Sequence, residues 1–191
     1  AMAFDGKFIP EPNAHAYALD LVKKIADMKR GKYLDPNIEN GEKTDFCIGV
    51  AGYPEKHFEA PNLKIDIEYL KAKVDAGADY IVTQMFFDNR HYFDFVKACR
   101  EAGIAVPIVP GLKPLTKVHQ LTSIPRNFYI NLPDDLATAL QKSTTPKART
   151  EAGIEWCIQQ SKELKAGGAP CLHFYTMGDA ETIRKVAEAV F

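Results

Sequence analysis

Apolar positions along this chain follow two alternating rhythms, one of helical spacing and one of short unbroken runs. From Ala14 to Arg30, Tyr17, Leu21, Ile25 and Met28 recur on one helix face, and Gly31 supplies a stop. Phe46 to Ala51 is a short, nearly all-apolar run that predicts a buried strand. Asn62 to Ala76 predicts the next helix, with Leu63, Ile67, Leu70 and Val74 inward and Gly77 closing it. Tyr80 opens a second strand that runs to Phe87. Asn89 is placed as the cap of a third helix, with Tyr92, Val96 and Cys99 inward and a close at Gly103. Pro107 to Leu112 predicts a third strand, its prolines suited to a strand start and end.

Beyond Leu112 the rhythm loosens. Short helices are expected over Lys117–Ser123 and Pro133–Gln141, the second with Asn131 as a possible cap. Lys147 to Ala166 reads as a long amphipathic helix through Ile154, Ile158, Ser161 and Lys165, ended by Gly167 and Gly168. Cys171 to Thr176 is the fourth strand and Ala180 to Val190 the last helix.

A helix followed by four βα units predicts an α/β fold with a parallel sheet. A closed (β/α)8 barrel takes roughly 250 residues, and four strands cannot close it. Residues 1–191 therefore read as a single domain, the C-terminal portion of a (β/α)8 TIM-type barrel lacking its N-terminal strands. A small open α/β sandwich, complete as it stands, fits the same topology.

Composition removes several classes of function. A formal charge of −1 and a pI near 6.6 give no electrostatic footprint for nucleic acid or an anionic membrane. No apolar run reaches the ~20 residues that span a bilayer, and Ala1 to Gly6 has no signal-peptide character. Cys47, Cys99, Cys157 and Cys171 lie on predicted apolar faces without CxxC spacing. They read as reduced core thiols of a cytoplasmic protein, and no metal site is expected.

Candidate chemistry gathers at strand ends. Tyr53-Pro54-Glu55-Lys56-His57 follows the first strand, where an aromatic ring and an imidazole suit a planar, phosphate-bearing ligand. An ordinary βα loop with a surface histidine reads equally well from these residues. Asp66 and Lys73 share one side of the next helix, where Lys73 could meet a pyrophosphate and Asp66 a ribose hydroxyl; a solvated charged face is the plainer account. Gln84 sits late in an apolar strand and must find a hydrogen-bond partner, from substrate or backbone. Gln120 follows the third strand's loop and is a second polar candidate, or simply exposed. His173 and Tyr175 share a face of the fourth strand; a buried, satisfied histidine is the commoner explanation of such a pattern. There is no GxGxxG after a strand, no P-loop, no GxSxG and no HExxH.

The segments Ala51-Gly52-Tyr53-Pro54-Glu55-Lys56-His57 and Thr83-Gln84-Met85-Phe86-Phe87-Asp88, with Pro110-Gly111 and His173-Phe174-Tyr175-Thr176, resemble the methylenetetrahydrofolate reductases. The resemblance covers the chain from about Ala14 onward. It implies a barrel that holds FAD and reduces 5,10-methylenetetrahydrofolate to 5-methyltetrahydrofolate with NAD(P)H, a step of one-carbon metabolism and methionine biosynthesis. By it, the flavin contacts fall on Tyr17, Ala18, Ala51, Tyr53, His57, Ala60, Asp66 and Lys73, and the substrate contacts on Gln84 and Gln120.

Two departures accompany the resemblance. Asp179 stands where the family often carries a substrate-binding arginine. The family's glutamate general acid, on the first barrel strand, and a flavin-binding aspartate are not present here. An inactive fragment of the enzyme is expected, self-associating through its open strand edges as a homo-oligomer. The alternative is a non-catalytic half-barrel that only binds ligand. An unrelated aldolase-like barrel would need a buried lysine at a strand end, for which Lys113 is the nearest candidate.

Overall fold

Four short strands pair side by side in chain order, and a helix follows each. The computed structural model describes residues 15–35 and 37–191. Helix α1 (Ala18–Lys29) precedes β1 (Gly49–Gly52), α2 (Leu63–Asp75), β2 (Tyr80–Met85), α3 (Asn89–Glu101) and β3 (Ile108–Leu112). Then come α4 (Gln120–Phe128), α5 (Asp134–Lys142), α6 (Pro146–Ala166), β4 (His173–Phe174) and α7 (Ala180–Val190). All three strand pairings are parallel, in the order β1-β2-β3-β4. This is the expected α/β arrangement of successive βα units, consistent with part of a (β/α)8 barrel.

Helices α2 and α3 form where their apolar spacing predicts. Ile67 and Leu70 of α2, and Tyr92, Phe95 and Cys99 of α3, pack on Val50, Ile81 and Ile108 of the sheet. A second cluster, made by Met85, Phe87, Leu115, Ile124, Ile130, Leu136 and Leu140, lies toward the C-terminal ends of the strands. It seats α4 and α5 beside the loops that leave β2 and β3.

The chain departs from the sequence reading at several points. In α1 the buried residues are Val22 and Ala26, whereas Tyr17 is 71% and Leu21 50% exposed. Of the predicted stripe, Ile25 packs against the core while Tyr17 and Leu21 stay exposed, because the face that meets α2 is centred on Val22 and Ala26; the Ala26 methyl group approaches the backbone of Gly77. Asp88, not Asn89, caps α3, accepting from the Arg90 N–H, while Asn89 is buried against Gln160 and Glu163. Pro133 rather than Asn131 precedes α5. Helix α4 runs on through Pro125 to Phe128, and Tyr129 ends it at a positive φ of 56°. The buried face of α6 runs through Ile154, Cys157, Ser161 and Leu164, whereas Lys165 is exposed, its ammonium 4.2 Å from the centre of the Phe191 ring.

The cysteines divide into two kinds. Cys99 and Cys157 are core thiols, and burial pushes both up to about 12. Cys47 and Cys171 are exposed, contrary to the expectation of four buried thiols. Each lies just ahead of an outer strand, β1 or β4, before the chain enters the sheet. Strand β4 is only two residues long, because its hydrogen bonds to β3 do not begin until Gly111. His173 is correspondingly exposed rather than a buried core histidine, with its ring edge-on to Tyr175 at 4.6 Å.

Candidate functional site

Because the strands are parallel, the loops that follow them open on one side of the sheet. The loop after β1 is held in shape by its own polar groups. The Asp66 carboxylate, buried in the first turn of α2, accepts from the His57 N–H at 2.8 Å. Asn62 caps α2 by accepting from the Ile65 N–H. Lys56 adopts a positive φ of 81°, and its ammonium donates to the carbonyls of His57 and Ala60. The result is a tight turn that sets the Tyr53 ring edge-on to the His57 imidazole, with centroids 4.6 Å apart.

Lys73 lies two turns further along α2 than Asp66, and its ammonium donates to the Ala51 carbonyl at 3.0 Å. The helix side that carries Asp66 and Lys73 therefore faces the end of β1 and is not a freely solvated surface. Burial pushes the Lys73 ammonium below its ordinary pKa, and the nearby Asp66 charge opposes that shift. Burial likewise raises the Tyr53 hydroxyl, with Asp66 and Glu59 adding to the effect. Ala51, Tyr53, His57, Ala60, Asp66 and Lys73 are thus brought together by one loop and one helix. Tyr17 and Ala18, at the start of α1, share no hydrogen bond or ring contact with this group among the described residues.

The ends of β2, β3 and β4 are tied to one another. The Thr83 hydroxyl accepts from the Gly111 N–H at 2.9 Å, and the Tyr175 hydroxyl donates to the Thr83 carbonyl at 2.9 Å. A Cβ at position 111 would lie 2.2 Å from the Thr83 carbonyl oxygen and 2.7 Å from the Tyr175 ring, so this crossing requires glycine. Burial raises the Tyr175 hydroxyl, and the Tyr53 hydroxyl is close enough to add to the shift.

Gln84 satisfies its carbonyl locally, accepting from the Met85 N–H at 3.0 Å where the pairing of β2 with β3 shifts register. Gln120 accepts from the N–H groups of Thr116 and Lys117 at 2.8 and 2.9 Å, so it braces the loop before α4 and is not a free surface residue. The side-chain nitrogens of Gln84 and Gln120 donate to no protein group among the described residues.

Beside Gln120 lies a cavity of about 110 Å³, lined in part by Lys113, Lys117, Tyr175, Asp179 and Thr182. Lys113 donates to the Tyr175 carbonyl at 3.3 Å, and burial lowers its pKa against the pull of Asp179. Asp179 caps α7 by accepting from the N–H and hydroxyl of Thr182, bonds that hold its carboxyl below the usual range. The grouping of Lys113 with Lys117 went unseen in the sequence, although a Lys-x-x-x-Lys spacing after a strand was there to find. The second feature missed is Glu55, whose carboxylate accepts from both the N–H and the side-chain amide of Asn131. No local signal joins residues so far apart in sequence. Among the described residues no cluster of three His, Cys, Asp or Glu could hold a metal ion, and no helix is long and apolar enough to cross a membrane.

Residues 3–190 match the family model described as methylenetetrahydrofolate reductase. The chain is 37% identical over 175 residues to the probable methylenetetrahydrofolate reductase (NADPH) of Caenorhabditis elegans, covering 91% of this chain and 24% of that protein. It is 38% identical over 181 residues to methylenetetrahydrofolate reductase (NADH) 1 of Arabidopsis thaliana, covering 90% of this chain and 28% of the relative. To the 5,10-methylenetetrahydrofolate reductase of Pectobacterium carotovorum it is 37% identical over 141 residues, covering 73% of this chain and 47% of that one. The chain thus spans about a quarter of the length of the worm and plant relatives. Among solved structures, an uncharacterized protein from Clostridium thermocellum that binds two copies of 5-methyl-5,6,7,8-tetrahydrofolic acid is similar in fold. The TM-score is 0.50 at 18% identity, covering 76% of this chain and 52% of the other.

Proposed function

The chain belongs to the methylenetetrahydrofolate reductase family, and from that premise we propose that it carries cofactor and substrate contacts of an FAD-dependent reductase of 5,10-methylenetetrahydrofolate that uses NAD(P)H. The observation that carries this reading is the convergence of Tyr53, His57, Asp66 and Lys73 on the end of β1. The donor set fits a flavin dinucleotide. An aromatic face and an imidazole suit its planar rings, and a partly desolvated ammonium suits its pyrophosphate. When bound, FAD would supply hydride acceptance and donation. Lys73 then neutralises phosphate charge, Asp66 keeps its second oxygen for a ribose hydroxyl, and Tyr53 and His57 wall the site from water. On the substrate side, the free amide nitrogens of Gln84 and Gln120 serve the folate. Lys113 and Lys117 provide positive charge for its carboxylates where Asp179 replaces the family's arginine.

Proton delivery is the part that no carboxyl beside the folate-facing glutamines is placed to supply, among the described residues. Reduction of the substrate requires an acid at the folate, a role suited to an uncommitted carboxyl group. Of the carboxyls beside these loops, Glu55, Asp66, Asp88 and Asp179 accept hydrogen bonds from other protein groups, and Glu59 is exposed beside the His57 imidazole on the cofactor loop rather than beside Gln84 or Gln120. This supports binding without turnover by the chain alone, which is also where the second reading, a non-catalytic ligand-binding half-barrel, converges. Titration with FAD is expected to give saturable quenching of flavin fluorescence with a dissociation constant on the order of micromolar, and no folate reduction. Absence of flavin binding at concentrations a hundredfold higher would remove the reading; ordinary turnover would remove the claim about the acid.

The remaining parts of the reading concern assembly and location. Strands β1 and β4 each have one side unpaired among the described residues. Open edges of this kind pair with other chains, so the chain is proposed to self-associate through them. Sedimentation at micromolar concentration should give a mass above that of one chain, and a strictly monomeric mass would contradict it. Free thiols at Cys47, Cys99, Cys157 and Cys171 suit a reducing compartment such as the cytoplasm.

A further inference from the structure

The loop that carries Tyr53 and His57 is tied to a distant part of the chain. The Glu55 side chain is only 5% exposed. Its Oε2 accepts from the Asn131 N–H at 2.9 Å and from the Asn131 side-chain amide at 2.8 Å. Its Oε1 is buried and has no partner, and His91 Nε2 stands 3.8 Å from Oε2, beyond hydrogen-bond reach. A buried carboxylate with one orphaned oxygen is unfavourable in itself, so its position depends on the two bonds that Asn131 supplies.

A second observation joins the same two segments. Phe58, next to His57, stacks on Tyr129 with centroids 5.1 Å apart and planes 18° from parallel. Both rings are more than half exposed, so the stack buries little. Tyr129 holds a left-handed backbone conformation that a bulky residue seldom adopts without tertiary restraint. It ends α4, whose first residue is Gln120. Helix α4 therefore has a candidate substrate contact at one end and the candidate cofactor loop docked just past the other.

We propose that Glu55 is a positioning residue: with Asn131 it clamps the Tyr53–His57 loop to the end of α4, so that the cofactor-facing and substrate-facing segments move as one body. That the two segments are halves of one site rests on the function proposed above; the mechanical coupling does not. Glu55 acts through the loop and not on the ligand, since both of its oxygens are buried or committed.

Amide hydrogen exchange on the whole chain separates the possibilities. Glu55→Asp keeps the charge but loses the reach, whereas Glu55→Gln keeps the reach. Glu55→Asp is expected to raise exchange by about tenfold in residues 53–60 and 127–131 together, while Glu55→Gln stays within about threefold of the parent. Asn131→Ala, which retains the backbone donor, should fall between them. Trp156 fluorescence on heating checks that each variant is folded. FAD affinity should follow the same order, falling by about tenfold in Glu55→Asp and recovering in Glu55→Gln. Loosening of 53–60 alone, a glutamine variant as loose as the aspartate one, or loosened loops with unchanged FAD affinity would each overturn the proposal. If the parent chain binds no FAD, the proposed function fails, and the exchange pattern still decides the clamp.

Discussion

Gly153→Ala is expected to destabilise this chain by roughly 3 kcal/mol or more, the upper end for overpacking. Gly153 lies on the buried face of α6, and a Cβ there would sit 1.8 Å from the carbonyl oxygen of Leu115 and 2.7 Å from its carbonyl carbon. Both atoms are backbone, in the stretch that leaves β3, so no rotamer change relieves the clash. Helix α6 would have to retreat, and it contributes to both clusters, through Ile154, Cys157 and Leu164 to one and through Ala152 and Trp156 to the other. A loss of that size lowers the melting temperature of a domain this long by roughly 6–12 °C. Trp156, the only tryptophan, lies on the same helix, donates to the Phe87 carbonyl at 3.1 Å and reports the seating of α6 by fluorescence. Gly168→Ala is the matched control. It has a positive φ of 86° but open space around it, so about 1–2 kcal/mol of backbone strain is the expected cost. A Gly153→Ala melt within a degree of the parent would show that α6 is not held as described.

Asp66→Ala is expected to weaken FAD binding by roughly 10–100-fold, the range for losing a charge-assisted hydrogen bond. The His57 N–H would lose its acceptor and the loop its shape. Lys73 would also lose the charge that opposes its desolvation, so its already lowered pKa falls further. The sign of the pH effect follows. An ammonium that neutralises phosphate is present below its pKa and lost above it, so affinity declines on the alkaline side. Without Asp66 that decline begins at lower pH. Asp66→Asn, which keeps an acceptor for His57, should retain more affinity near neutral pH while showing the same alkaline shift. Equal FAD affinity for Asp66→Ala and the parent across that range would separate Asp66 from the cofactor altogether.

The sequence was most legible where structure is decided locally. Helices α2 and α3 and strands β2 and β3 carry apolar spacing that matches their buried faces, and strand order follows from their alternation. The block from Ala51 to His57 marked the end of β1 before any geometry was known. Legibility failed where a neighbour decides. Tyr17 and Leu21 have the right spacing for a core face, yet the face that meets α2 is turned from them toward Val22, Ile25 and Ala26. Cys47 and Cys171 lie in apolar runs, yet each precedes the first paired residue of an outer strand. The environment of Lys73 turned on a single carbonyl, Ala51, presented by a strand in another part of the chain. Glu55 could not be matched to Asn131 because no periodicity extends over 76 residues.

The two exposed thiols also serve as a ruler. Cys47 leads into β1 and Cys171 into β4, so they mark opposite margins of the sheet, on the side away from the strand ends that gather Tyr53, His57 and Lys73. Labels placed there leave the loops at the other end of the strands untouched. Three strand spacings separate the margins, about 14 Å across a flat sheet and less where it curls. Spin or fluorescent probes on that pair would therefore register how strongly the sheet curls, and whether further strands joining its margins bend it toward a closed cylinder.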